Sequence, residues 1–447
     1  MSFQPTIYFD PEVSKVNGVA SNPNVPYFSE APINLLDSVN LQPKHAFRAL
    51  SEIHVTKIES DQAENIDKLL NQLRETNPGM TIEKPDAICC IPVASLGEPV
   101  EGLQQLVTAI ASQSSALNNE YLIYGNYPDY DSSDKEATDK KMDDIQHWTK
   151  ENFPGLPARF INVAYKPDHI TISQIRSDYM NIVIQDALER GLPYEQPIIW
   201  LDADVRSMDS EALNIVAGDV RNGNSDDIFS RSNLHFALDE YGYDGQNSRQ
   251  LSSAVRATIF YELARRERED GQFRSQMGYL EECGLGMALG NYVAFGGVDV
   301  NEDYNEASNL ADSAILNADR LLPLTRKIFT NARPAAQPCD VENGIGFHVL
   351  PPAIIDVSAR RLVANADTIL SRIENGKKIT DASRLDGEYS SFGAEEILRQ
   401  SKIKEVSYSE VSLSGLMHHT AKILAKNVSP ETRPVYLESV LALADRL

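Results

Sequence analysis

The sequence predicts an α/β protein, a mainly parallel sheet flanked by helices. Three observations carry this. From residue 86 onward, short apolar runs and helical patterns alternate four times, which implies parallel strands with helical crossovers. The helix pattern before the last run, "TISQIRSDYMNIVIQDALERG" at 171–191, has a start and a stop signal of its own. The fourth run, "PIIWLDAD" at 197–204, ends in Asp202 and Asp204, at the carboxyl end of a strand, where such sheets bind ligands.

The elements follow in order. Residues 1–85 read as an N-terminal extension, irregular and Asn/Pro-rich through "VNGVASNPNVPYFSEAP". A helix is expected at 61–75, where Ile66, Leu69, Leu70 and Leu73 share one face; Pro78 and Gly79 end it. "AICCIPVA" (87–94) is a buried strand. "PVEGLQQLVTAIASQ" (99–113) is a helix burying Leu103, Leu106, Val107 and Ile110, with Pro99 at its start. A strand at 120–126, a charged helix at 131–153 and a strand at 158–165 come next. In the 171–191 helix, Thr171 and Gln174 match a capping box and Gly191 sits at the stop. Its buried stripe is Ile172, Ile175, Tyr179, Ile182, Val183 and Leu188. After 210 the order loosens: a strand and an aromatic loop at 226–245, a helix at 248–270, then a glycine-rich and an acidic-helical stretch at 278–321. Residues 331–447 read as a helical C-terminal region, which leaves 86–330 as the main domain.

The formal charge is −24, and phosphate-backbone binding needs a basic stripe, so nucleic acid is not an expected partner. No run approaches the ~18–20 apolar residues of a membrane span, and the N-terminus lacks a signal pattern. The expectation is a soluble, cytoplasmic protein. Cys89, Cys90, Cys283 and Cys339 lack zinc-ligand spacing and read as buried free thiols.

Burying two like charges after an apolar strand is costly unless something positive sits between them. Either Asp202 and Asp204 reach solvent at the strand end, or they hold a metal. Hard carboxylate oxygens suit Mn²⁺ or Mg²⁺.

The arrangement resembles the nucleotide-sugar half of the GT-A fold, in its family 2-like glycosyltransferases. "ICCIPVASLGEPVEGLQQLVTAIASQ" is similar to their opening strand and helix, with Pro92, Val93 and Glu98 on the nucleotide side. "ISQIRSDYMNIVIQDAL" occupies the place of the family's Ala-Arg-Asn helix; Arg176 matches the Arg, which the resemblance puts on the nucleotide side, and Asp178 stands where Asn is usual. "IIWLDADVRSMDSEAL" is similar to the strand, DxD and following helix. "GLGMALGNYVAFGGVDVNEDYNEASNLADSA" resembles the later acidic segment. The resemblance implies a GT-A, Rossmann-like fold and a metal-dependent, inverting hexosyltransferase. It implies a UDP- or GDP-linked sugar donor and an acceptor that the residues do not name. Asp204 would be the main ligand of Mn²⁺ or Mg²⁺, with Asp202 on ribose or on the metal through water. Asp303, with Glu302 beside it, would be the base for the acceptor hydroxyl, and His348 a further metal ligand. Plainer roles stay open: a loop acid for Glu98, a salt-bridging Arg176, and helix N-terminal acids for Glu302 and Asp303. The second strand ends with Asn126, Asp129 and Asp131 where the family often has an Asp pair, and the Gln-x-x-Arg-Trp acceptor motif is absent. Two other readings of the pair are a haloacid-dehalogenase-like phosphohydrolase, with Asp202 as nucleophile and Asp204 as general acid, and a non-catalytic nucleotide-binding GT-A protein.

Overall fold

The computed structural model describes residues 60–77, 79–129, 132–166, 171–193, 195–222, 229–241, 283–294 and 347–358, with single positions at 245, 249 and 252. The elements in order are α1 (Ser60–Thr76), β1 (Ile88–Ala94), α2 (Val100–Ala111), β2 (Glu120–Pro128), α3 (Ser132–Asn152), β3 (Ala158–Tyr165) and α4 (Ile172–Arg190). Then come β4 (Pro197–Trp200), β5 (Val205–Met208), α5 (Ala212–Asn222), β6 (Phe229–Ala237) with a 3₁₀ turn at Leu238–Tyr241, β7 (Leu285–Ala288), α6 (Leu289–Ala294) and β8 (Phe347–Ser358).

The eight strands lie in the order β3-β2-β1-β4-β7-β6-β8-β5. β3, β2, β1 and β4 are parallel, as the alternation predicts. The sheet is also partly antiparallel: β7 enters antiparallel to both β4 and β6. The short run Leu285–Ala288 is apolar and buried throughout, and such a run carries no mark of strand direction. Three of the described strands were not anticipated, β7 itself in the stretch read as glycine-rich among them. β5 precedes the helix expected directly after the DxD, and β8 lies in the region read as helical.

The chain divides into two compact units, Met1–Ser232 with Arg274–Ala353, and Asn233–Phe273 with Ile354–Leu447. In the first unit, the face of the sheet that carries Cys90, Tyr124, Tyr165 and Trp200 packs against α1, α4 and α6. The four α1 residues expected to be apolar anchors are all buried, Leu73 fully. Thr171 caps α4 by accepting the Gln174 N–H at 3.0 Å, and Gly191 ends it in the left-handed conformation at φ 67°. Only half of the capping box forms, since the Gln174 side chain turns to Asp178. Ile175, Tyr179, Ile182 and Val183 are buried as expected; Ile172 and Leu188 are half-buried.

β3 is an edge strand, and a buried side chain covers part of its open side. Asn77 donates from Nδ2 to the Phe160 carbonyl and accepts the Phe160 N–H at Oδ1, both at 3.2 Å. The side-chain amide stands in for a neighbouring strand at that residue. In the second unit, Arg249 pairs with Asp356 at 3.5 Å, and the Ser358 hydroxyl donates to Glu240 at 3.1 Å. Cys89, Cys90 and Cys283 are buried free thiols, and burial pushes the Cys90 thiol up to about 12. Cys339 lies outside the described residues.

Candidate functional site

The site begins where β1 and β4 stop being partners. Ile88–Cys90 pair with Ile198–Trp200, and the Leu201 N–H donates to the Cys90 carbonyl at 3.0 Å. In a parallel ladder the next residue of β1 to face β4 is Pro92, which has no N–H to give the Leu201 carbonyl. On the other side of β4, the Gly284 N–H donates to the Trp200 carbonyl at 2.7 Å. The ladder ends there, and the chain leaves the sheet as Asp202-Ala203-Asp204. Both carboxylates therefore stand at the carboxyl edge of the parallel strands, beyond strand β4, whose four residues are all buried.

The two acids differ in setting. Asp204 is buried, with 8% of its surface exposed. The Asp202 side chain is 35% exposed, and its Oδ1 lies 3.4 Å from Nη2 of Arg176. Arg176 sits in the second turn of α4 with its side chain turned inward, and its guanidinium lies 4.8 Å from the centre of the Trp200 ring. The indole is held in turn: its N–H reaches Met180 Sδ at 3.4 Å, and Tyr292 meets it edge-on at 6.2 Å.

A second chain of contacts fixes the first turns of α4. The Tyr165 hydroxyl, at the end of β3, donates to Asp178 Oδ2 at 2.8 Å and bonds the Tyr124 hydroxyl at 2.8 Å. Gln174 donates to Asp178 Oδ1 at 2.7 Å. Burial raises the Asp178 carboxyl to about 6, against the pull of the Tyr165 and Gln174 hydrogen bonds.

The loop after β1 is tied down from α3. The Lys141 ammonium donates to the carbonyls of Ser95 and Glu98, the latter at 3.0 Å. Burial lowers the Lys141 pKa, and the charge of Glu98 partly offsets this. The Ser95 hydroxyl donates to Asn162 at 2.7 Å, and Asn162 donates to Asp139 at 2.8 Å. Gly125 leaves the room: a Cβ there would meet Asn162 Oδ1 at 2.6 Å and Ser95 Oγ at 2.7 Å.

Of the residues read from the sequence, the fold brings Arg176 to Asp202 and sets the end of β1, with Pro92 and Val93, beside the end of β4. Val93 is fully buried and Glu98 nearly so. His348 lies on β8. Glu302, Asp303 and Asp131 lie outside the described residues. Sequence reasoning passed over Trp200, Tyr165, Tyr124 and Lys141. Trp200 carried a signal, a large aromatic one residue short of the acidic turn; the others had none, because their partners lie on other elements.

Among the described residues, no group of three or more His, Cys, Asp or Glu side chains is placed to hold a metal. Mg²⁺ and Mn²⁺ do not require one: they take one or two carboxylates and complete their shell with water and substrate phosphate. The hard carboxylate oxygens of Asp202 and Asp204 are of the chemical type that suits such an ion. No helix among the described residues is long and apolar enough to cross a membrane.

The fold and site define a mixed α/β protein with a carboxylate pair at the carboxyl edge of its parallel strands. No protein-family model matches the chain, and no curated protein matches it. A solved structure similar to it is the mannosyltransferase PcManGT from Pyrobaculum calidifontis in complex with GDP-Man and Mn²⁺. The identity is 11% and the TM-score 0.35, over 90% of this chain and 98% of that one.

Proposed function

We propose that this chain is a metal-dependent glycosyltransferase of GT-A type, moving a sugar from a nucleoside-diphosphate sugar to an acceptor hydroxyl. The observation that supports it is the exit of Asp202 and Asp204 from central strand β4 at the carboxyl edge, with the end of β1 alongside. Ligands of open α/β sheets bind at that edge. The family resemblance of the segments around β1, α4 and β4 points the same way.

In this reading Asp204 is the main ligand of Mn²⁺ or Mg²⁺. The ion supplies positive charge against the diphosphate that leaves the sugar. Pro92, Val93 and Glu98 belong to the nucleotide side, and His348 is a candidate further ligand. Asp303, or Glu302 beside it, takes the proton of the acceptor hydroxyl as that oxygen attacks the anomeric carbon, with inversion. The phosphohydrolase alternative places its DxD on the first strand of its domain, whereas here three parallel strands precede it in the chain.

The test is thermal unfolding with Mn²⁺ plus UDP, GDP, CDP or dTDP, for the wild type and Asp204→Ala. A ligand at ~100 times its dissociation constant adds about 2.7 kcal/mol, which raises the midpoint by roughly a degree or more. The expected result is a metal-dependent rise with one nucleotide that Asp204→Ala abolishes. A folded wild type that responds to none of them overturns the proposal.

A further inference from the structure

We propose that Lys141 is a positioning residue: from α3 it holds the loop 95–98 as one wall of the crevice that receives the nucleoside diphosphate. The ligand in that statement rests on the transferase reading; the clamp does not. The topology places the wall. From β1 the chain steps outward to β2 and β3, then returns past β1 to enter β4 on the other side. The strand order therefore reverses between β1 and β4, and open α/β sheets bind ligands in the crevice at the carboxyl ends of such a pair. Asp202 and Asp204 leave the sheet on the β4 side of that crevice, and residues 95–98 leave it on the β1 side.

The loop has two buried ends and an exposed tip. Ser95 is 0% exposed and Glu98 4%, whereas Leu96, at 41%, and Gly97 lie open between them. The turn closes on the Ala94 carbonyl, which accepts the N–H groups of Gly97 and Glu98, both at 2.9 Å. The Lys141 ammonium then takes the carbonyls of Ser95 and Glu98 together, so one cation joins the two ends of the turn. Such charge-assisted bonds are stronger than neutral ones. Burial lowers the Lys141 pKa, as expected of an ammonium drawn from water to make them. α3 reaches the loop by a second route: Asp139 accepts from Asn162, and Asn162 accepts the Ser95 hydroxyl. A wall set in advance spares a ligand the cost of ordering it, and fixing even one residue's backbone is worth about tenfold in affinity.

The experiment compares the wild type with Lys141→Met and Lys140→Met. Methionine keeps an unbranched stem and a high helix propensity while removing the ammonium. Lys140, the exposed neighbour of Lys141 on α3, is the control for the lost charge. Hydrogen exchange over residues 94–100, read by mass spectrometry, reports the loop. Calorimetric titration with UDP, GDP, CDP and dTDP in the presence of Mn²⁺ reports the site. In Lys141→Met the amides of Ser95, Gly97 and Glu98 are expected to exchange about tenfold faster or more, and the nucleotide to bind about tenfold more weakly. β2 and β3 stay protected. Lys140→Met is expected to match the wild type in both measurements, since an exposed charge is screened by salt.

Four results overturn the proposal. One is a loop that exchanges at the wild-type rate in Lys141→Met, and another is a loop that loosens while nucleotide affinity is unchanged. A third is protection lost across β2 and β3 as well, which makes Lys141 a general stabilising residue. The fourth is an equal loss of nucleotide affinity in Lys140→Met, which reduces the effect to net charge. If the wild type binds none of the four nucleotides, the transferase reading falls and the ligand with it, and the exchange pattern still decides whether Lys141 holds the loop. Should Lys141→Met not fold, Lys141→Gln takes its place in both measurements.

Discussion

Arg159 and Glu120 meet at 3.2 Å at the amino edge of the sheet, with side chains 3% and 0% exposed. Glu120 opens β2, and Arg159 is the second residue of β3. Asp186 and Arg190 of α4 complete a closed cluster, and Arg74 of α1 joins it at Asp186. Burial pushes the Asp186 carboxyl up, but Arg159, Arg190 and Arg74 together hold it below its ordinary value. Glu120→Gln leaves Arg159 and Arg190 sharing one carboxylate in a dry place. Breaking a buried pair this way costs about 3–5 kcal/mol. Urea unfolding is expected to show a loss of that order, little changed by salt because the cluster is screened from it. A loss below about 1 kcal/mol, the size of an exposed pair, would sink this account.

Asp178 makes stability depend on pH in the opposite sense to most carboxylates. Its ordinary value is 3.8, and burial raises it to about 6 in the folded chain. Between those values the folded protein binds more protons than the unfolded one. The stability that this proton provides is fully present below about pH 4 and lost as pH rises through about 6, a change of roughly 3 kcal/mol for two units. Asp178→Asn keeps an oxygen for the Tyr165 hydroxyl and removes the charge. Relative to wild type, it is expected to gain stability from pH 4 to pH 7. Denaturation curves at several pH values check this; profiles that run parallel for the two proteins contradict it.

Gly286 of β7 lets α5 approach the sheet. A Cβ at that position would lie 2.4 Å from Val216 Cγ1 and 3.2 Å from Val220 Cγ2. Gly286→Ala therefore overpacks a fully buried contact, at a cost of about 1–3 kcal/mol. Val216→Ala removes the clashing methyl, so the double variant is expected to recover most of the loss. The measurement is the midpoint of thermal unfolding, and a double variant no better than Gly286→Ala places the strain elsewhere.

Much of the first unit was legible. The helix expected at 171–191 spans Ile172–Arg190 with Thr171 and Gly191 as its caps, because a polar N-cap and a left-handed glycine act within one turn. The strand expected at 158–165 has those bounds. The apolar faces of α1 and α2 are buried at every position the spacing marked. The antiparallel entry of β7 was not legible, since pairing direction is a property of two strands and appears in neither alone. The ion cluster at the amino edge was hidden for a related reason: Arg159 finds Glu120 and Asp186 at 39 and 27 residues' separation.

For the candidate site, the sequence alone determined that two carboxylates follow a buried strand, and that a helix bearing Arg176 precedes that strand. Those facts rest on local periodicity, caps and composition. Only the tertiary structure decided that Pro92 ends the β1–β4 ladder at Leu201, which releases Asp202 and Asp204 at the edge. It also decided that Arg176 turns inward, over Trp200 and against Asp202. Hydrogen-bond register and side-chain burial depend on which segments become neighbours, and distant parts of the chain set that together.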